Sequence, residues 1–258
     1  KCRKLAVAEH GEGFWIDHWT YNLDLLENYL AIYPDRLHDL LFSTDRFTFY
    51  HNPYRVQPRE HKYVLVEGEV RQLGAIVRDK DEATAIEGHT RFPHPARVKF
   101  GRGDVYHTSL FVKLLSLIVN KLASLDPEGV GVEMEAGKPG WYDALNGLPG
   151  LFGSSVCETL EVKRHIQFLR EQLAGYEKSI SEFTVFGELV EFMEELHGLL
   201  KSDLSCHEFW DAAAKVKEQY REKTRLGISG EEVTVRPARI GDFLAAALTK
   251  LDKGIEKA

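Results

Sequence analysis

Between Glu133 and Ser155 the chain reads Met-Glu-Ala-Gly-Lys-Pro-Gly-Trp-Tyr-Asp-Ala-Leu-Asn-Gly-Leu-Pro-Gly-Leu-Phe-Gly-Ser-Ser, a segment dense in side chains able to do chemistry together. Asp143 and Glu135 can move protons. Trp141 offers a flat apolar plate, while Asn146 and Lys138 supply hydrogen-bond donors. Gly137, Gly140, Gly147, Gly150 and Gly153 let backbone approach a ligand closely. Long irregular segments between helices are uncommon and usually serve a function. The combination suits a carbohydrate: an indole stacks on the C–H face of a pyranose, and a carboxylic acid protonates the departing glycosidic oxygen.

Each residue also has a plain structural reading. Asp143 ahead of Ala144-Leu145 can simply cap a short helix over 144–148. Glu135, across a Gly-Lys-Pro-Gly turn from Asp143, is either a water-activating base, a sugar-hydroxyl acceptor or a partner for Lys138. In an extended segment Glu133 faces the same side as Glu135. Trp141 serves equally well as packing. Ser154 and Ser155, after Gly153 and opening a helix, can cradle a phosphate, but capping is the commoner use of such residues.

Two other groups of residues deserve the same double reading. Asp17, His18, Tyr21 and Asp24 share one side of the first expected helix, where they either line a sugar-holding cavity or form a solvated face. Arg91, His94, Arg97 and Arg102 make a positive loop that can attract an anion, although a charged surface loop explains them better. Tyr106 and His107 start the next helix, as a cap or as site residues.

Composition narrows the partners. The net charge is -7 with dispersed acids, so no basic stripe for nucleic acid and no polybasic membrane anchor is expected. No apolar run approaches the roughly 18 residues of a membrane span. Cys2, Cys157 and Cys206 are too widely spaced for a zinc site or disulfide framework, and the 11 histidines show no paired ligand spacing. We therefore expect no metal or cofactor, a reducing cytoplasm, and inorganic phosphate only as a co-substrate. The oligomeric state is left open.

The elements that must position these residues are mostly helices. Apolar spacing predicts helices over 14–33, 37–42, 79–87, 105–125, about 155–174, 183–201, 206–223 and 239–253. Residues 43–61 read as loop. Lys62–Glu67 and Glu69–Val77 read as a hairpin turning at Glu67-Gly68, and Glu232–Arg236 as a short strand. Helical pairs joined by long loops, without βαβ alternation, predict a mainly α fold: one domain over 1–258 built as an α/α toroid, with the hairpin in an insertion.

Gly140-Trp141-Tyr142-Asp143-Ala144-Leu145-Asn146 resembles the Trp-Asn-Asp-Gly-Met-Asn signature of cellobiose-phosphorylase-like proteins, members of the (α/α)6-barrel, six-hairpin glycoside phosphorylases and hydrolases. The Trp, Asp and final Asn keep their spacing; Tyr142 replaces Asn, and Ala144-Leu145 replaces Gly-Met. His18-Trp19-Thr20-Tyr21-Asn22-Leu23-Asp24 reads like an inner barrel helix of the same group, and the likeness extends over about residues 10–175. The resemblance implies an inverting glycosidic cleavage of an oligosaccharide or polysaccharide with Asp143 as general acid. Attack would come from phosphate, or from water activated by Glu135. A full twelve-helix barrel needs more helices than these, and Lys1 heads the chain, so a piece of a longer polypeptide is expected. The alternative is a helical domain that binds glycan without cleaving it.

Overall fold

The computed structural model describes residues 19–43, 45–72, 75–133, 154–176 and 180–258. They are mainly helical, with four small two-stranded antiparallel sheets among them. Helix α1 (Thr20–Ile32) is followed by a 3-10 turn at Pro34–Arg36 and a π turn at Asp39–Ser43. Strand β1 (Tyr54–Val56), helix α2 (Arg59–Lys62) and strands β2 (Tyr63–Val66), β3 (Glu69–Gln72) and β4 (Ile76–Arg78) come next, then helix α3 (Lys80–Glu87). Helix α4 (Leu110–Leu122) leads to β5 (Val132–Glu133). The chain continues with β6 (Ser154–Ser155), α5 (Val156–Tyr176), β7 (Phe183–Phe186), α6 (Gly187–Lys201), α7 (Cys206–Lys223), β8 (Glu232–Val235) and α8 (Pro237–Lys257).

The core lies where α4, α5, α6 and α8 meet. Leu115 and Ile118 of α4, Ile166 and Leu169 of α5, Leu189 and Leu196 of α6, and Phe243, Leu244 and Leu251 of α8 are all essentially sealed from solvent. Each such side chain contributes about 1.5–3 kcal/mol by leaving water. Their 3–4 residue spacing is what makes these segments helices with one buried face. Phe183 of β7 stacks on Phe111 of α4 with centroids 4.5 Å apart, locking the small β7–β8 sheet to the helices.

Local chemistry sets the boundaries, and it corrects several expectations. The helix expected over 105–125 begins at Leu110: Val105 and Thr108 pair with Arg97 and Phe47, and the Ser109 hydroxyl accepts the Val112 N–H as an N-cap. The helix expected from 183 begins at Gly187, because Phe183 and Val185 turn inward in period-two alternation and pair with Val235 and Val233. The loop expected over 43–61 contains β1, which pairs with β4, and α2. The hairpin is real at Glu67-Gly68, with Glu67 and Gly68 both at positive φ, yet its second strand ends at Gln72 and Ile76–Arg78 serves a different sheet. Ser205 and Glu208 form a reciprocal capping box at the start of α7.

Candidate functional site: the foot of the glycine-rich segment

Residues 134–153, with Glu135, Lys138, Trp141, Asp143 and Asn146, lie outside the described residues, as do Asp17 and His18. What the structure gives is the frame that holds both ends of the segment. Val132 and Glu133 pair with Ser155 and Ser154, so the chain leaves and returns side by side. Asp126 organises the approach. Its carboxylate accepts the N–H groups of Glu128 at 3.1 Å, Val130 at 2.9 Å and Gly131 at 2.9 Å, and also the Ser154 hydroxyl. Gly131 has no room for a side chain, since a Cβ there would sit 2.5 Å from the Ser154 hydroxyl oxygen. Thr159 of α5 donates its hydroxyl to the Val130 carbonyl at 2.9 Å. The turn is thus tied to α5 as well as to itself.

Glu133 is the carboxylate that this frame presents. Its Oε1 accepts the Tyr63 hydroxyl at 2.6 Å and the Trp210 indole N–H at 3.2 Å, while its own N–H goes to the Ser124 carbonyl at 2.7 Å. Arg59 lies over the Trp210 ring at 4.5 Å and pairs with Asp211 at 2.8 Å and Glu218 at 3.9 Å. Lys217, buried on α7, donates to the Ser124 hydroxyl at 3.0 Å, and Lys62, buried at the end of α2, lies 5.5 Å from the Tyr63 ring centre. Three carboxylates (Glu133, Asp211 and Glu218), an indole, a phenol and three cations therefore gather where the segment begins, with Arg59 already paired to Asp211 and Glu218.

A second group meets at the other foot. Lys121 of α4 pairs with Glu158 of α5 at 2.9 Å and stands 4.7 Å over the Trp19 ring, which is 5.2 Å from His165. Burial pushes the His165 imidazole below its usual value, so the ring is neutral near pH 7. Its Nδ1 bonds the Glu161 carbonyl at 2.9 Å. The Trp19 indole nitrogen and His165 Nε2 are buried without a partner among the described residues.

Of the expected site residues that are described, Ser155 accepts the Glu158 N–H at 3.3 Å in a capping bond, and Ser154 holds Asp126. Asp24 is paired with Arg164 at 2.7 Å, and Glu27 shares the same guanidinium. Tyr21 is about half exposed on the outer side of α1, while Trp19 turns inward. Among the described residues Asp24 therefore meets Arg164 of α5 and not the Glu133 foot. The positive loop staples backbone: His94 bonds the His51 carbonyl at 3.1 Å, Arg97 the Gly103 and Phe92 carbonyls at 3.2 Å, and Arg102 the Lys99 carbonyl at 3.3 Å. His107 bonds the Val105 carbonyl and Tyr106 is buried.

Tyr63, Trp210, Arg59, Lys121 and Glu158 were not foreseen. Lys217 is the readable signal for Trp210: a lysine on the apolar side of a helix, seven residues along the same face as an indole, marks a buried polar contact. Among the described residues no group of three or more His, Cys, Asp or Glu side chains could hold a metal ion, and no helix is long and apolar enough to cross a membrane. The chain matches no model of a known protein family and no curated protein. The resemblance to the glycoside phosphorylases and hydrolases rests on the motif residues alone.

Proposed function

We propose that this chain is the catalytic part of a carbohydrate-active enzyme that cleaves a glycosidic bond with inversion. In this reading the helices belong to an α/α toroid, whole or partial, and the segment after Glu133 forms its mouth. Asp143 protonates the departing glycosidic oxygen as the anomeric C–O bond breaks. An oxygen of inorganic phosphate, or of a water activated by Glu135, forms the new bond from the opposite face. Trp141 stacks on the sugar, and Asn146 and Lys138 bond its hydroxyls.

The observation that supports this reading is the fixed foot: Glu133, held by Tyr63 and Trp210, immediately precedes the acid-bearing, glycine-rich segment in the chain. Aromatic rings beside a hydrogen-bonded carboxylate are what recognition of a polyhydroxylated ring requires. The carboxylate's second oxygen accepts no hydrogen bond from the described residues, which leaves it for a sugar hydroxyl.

The test is release of sugar 1-phosphate and of reducing sugar from β-linked gluco-oligosaccharides, with and without phosphate. Asp143→Asn should lower turnover by about 10²–10⁴-fold with binding largely kept. Release without phosphate would make the protein a hydrolase. Binding without release in either form would make it a glycan-binding domain.

A further inference from the structure

On the side of the β7–β8 sheet an open cleft of ≈ 340 Å³ is lined by Phe100, Glu188, Glu191, Lys223, Ser229 and Glu231. Four separate segments build it. Residues 97–103 and 226–231 are laced together by Lys99 N–H to the Ser229 carbonyl at 3.0 Å and Phe100 N–H to the Ile228 carbonyl at 2.9 Å. The start of α6 and the end of α7 complete the walls.

The backbone is strained here. Lys99 and Phe100 sit at φ 54° and 53°, followed by Gly101 at φ 84°, a left-handed run that side chains with a Cβ rarely adopt. Surrounding contacts enforce it: Gly227 passes so close that a Cβ on it would lie 2.5 Å from the Arg97 carbonyl oxygen. The consequence is that Phe100, a large apolar side chain, is held 47% exposed at the edge of an acidic cleft. Strain kept in place at an exposed aromatic is a mark of a ligand-facing position.

The floor supplies a second, independent mark. Glu188 is only 9% exposed; its Oε1 accepts the Ser229 N–H at 2.7 Å, but its Oε2 is buried with no hydrogen-bond partner. Glu191 is paired with Lys223, and the Glu231 carboxylate has no ion pair among the described residues. Three carboxylates against one ammonium leave the cleft with a net charge of about −2. An orphaned acceptor needs an N–H or O–H donor, and the surplus negative charge selects a cationic one. An aromatic face at the rim favours the same sign, through attraction between a cation and the ring.

We propose that this cleft binds the primary ammonium group of an aliphatic amine. The ammonium donates to Glu231 and to Glu188, whose sealed Oε2 must turn outward into the cleft to receive it, and its alkyl stem lies along Phe100. A diamine matches the charge better than a monoamine. This site shares no residue with the glycosidic reading and stands whether or not that reading holds.

Calorimetric titration of the whole chain with 1,4-diaminobutane, tetramethylammonium and sodium chloride at matched ionic strength tests it. Saturable binding of the diamine is expected, with tetramethylammonium, which has no N–H to donate, clearly weaker. Glu188→Gln and the exposed Glu231→Gln should each weaken the diamine by about tenfold, the loss of one charge-assisted hydrogen bond. Phe100→Asn, which keeps the left-handed backbone, should weaken it about threefold. If Glu188→Gln fails to fold, Glu231→Gln carries the decision. Absence of saturable diamine binding would overturn the proposal. So would equal binding of tetramethylammonium, or unchanged affinity in Glu231→Gln, since either would mean diffuse charge screening.

Discussion

Glu133 and Glu188 are two carboxylates with one hydrogen-bonded oxygen each, and their surroundings differ in an instructive way. Glu133 takes both of its side-chain bonds from aromatic donors, Tyr63 and Trp210, in a setting where Arg59 is balanced by Asp211 and Glu218. Glu188 takes one bond from a backbone N–H and is surrounded by further acids. On the two proposals above, the first setting, its charges balanced, suits a neutral polyhydroxylated partner, and the second, with surplus acid, suits a cation. Net charge around the group, rather than the group itself, sets what it can recognise.

The comparison can be broken most sharply at Asp126. Asp126→Ala removes the acceptor for three backbone N–H groups and the Ser154 hydroxyl, so stability should fall by about 3 kcal/mol. Urea unfolding reads that loss. Diamine affinity of the folded fraction should stay the same, because the cleft draws nothing from this turn. A parallel drop in amine binding would show that the two regions are coupled.

A third carboxylate sharpens the rule. Glu82 is buried on α3 with its Oε2 unpartnered; burial, and then the neighbouring Asp79, push its pKa up to about 7. Between the ordinary value of 4.5 and about 7 the folded chain keeps a proton that the unfolded chain releases. Its contribution is therefore most favourable below 4.5 and is lost as pH rises through about 7. Glu82→Gln should flatten that dependence and add about 1–3 kcal/mol above pH 7, measured by urea midpoints across the range. An unchanged profile would mean that burial beside Asp79 does not disfavour charge on Glu82.

Smaller effects separate the aromatics. Trp210→Phe deletes the indole N–H to Glu133 and should cost about 1 kcal/mol of stability, read by urea unfolding; on the proposed glycosidic reading, turnover should fall by more than substrate affinity does. Phe100→Gly relieves the left-handed strain, so stability should hold or rise by up to about 1 kcal/mol while amine binding weakens. A matching loss of stability would make Phe100 a packing residue and not a ligand plate.

Much of the fold was readable from apolar spacing: α5, α6, α7 and α8 all carry long one-faced patterns, and Glu67-Gly68 marked its hairpin. Phe183–Phe186 was misread because a short apolar run leading into a helix has no period of its own to separate it. Val105–Thr108 was misread because Tyr106 stands at helical spacing ahead of Leu110 and hides the Ser109 cap between them. At the candidate site, Glu133 could be noticed from its neighbours in the chain, but Tyr63, Arg59 and Trp210 come from distant segments and are joined only by folding. The amine cleft was invisible for the same reason: Phe100, Glu188, Lys223 and Glu231 share no motif, and only the lacing of 97–103 to 226–231 assembles them.

The pairing of Glu133 with Ser154 has a consequence for how this protein can diversify. With both ends clamped to one scaffold, the intervening segment is closed by the scaffold's own bonds, and doubling its length would add only about 0.6 kcal/mol of closure entropy. Insertions, deletions or wholesale exchange of 134–153 should therefore leave the helices undisturbed. Grafted segments would inherit a ready anchor, so the sequence between the two clamps is free to change faster than the frame that holds its ends.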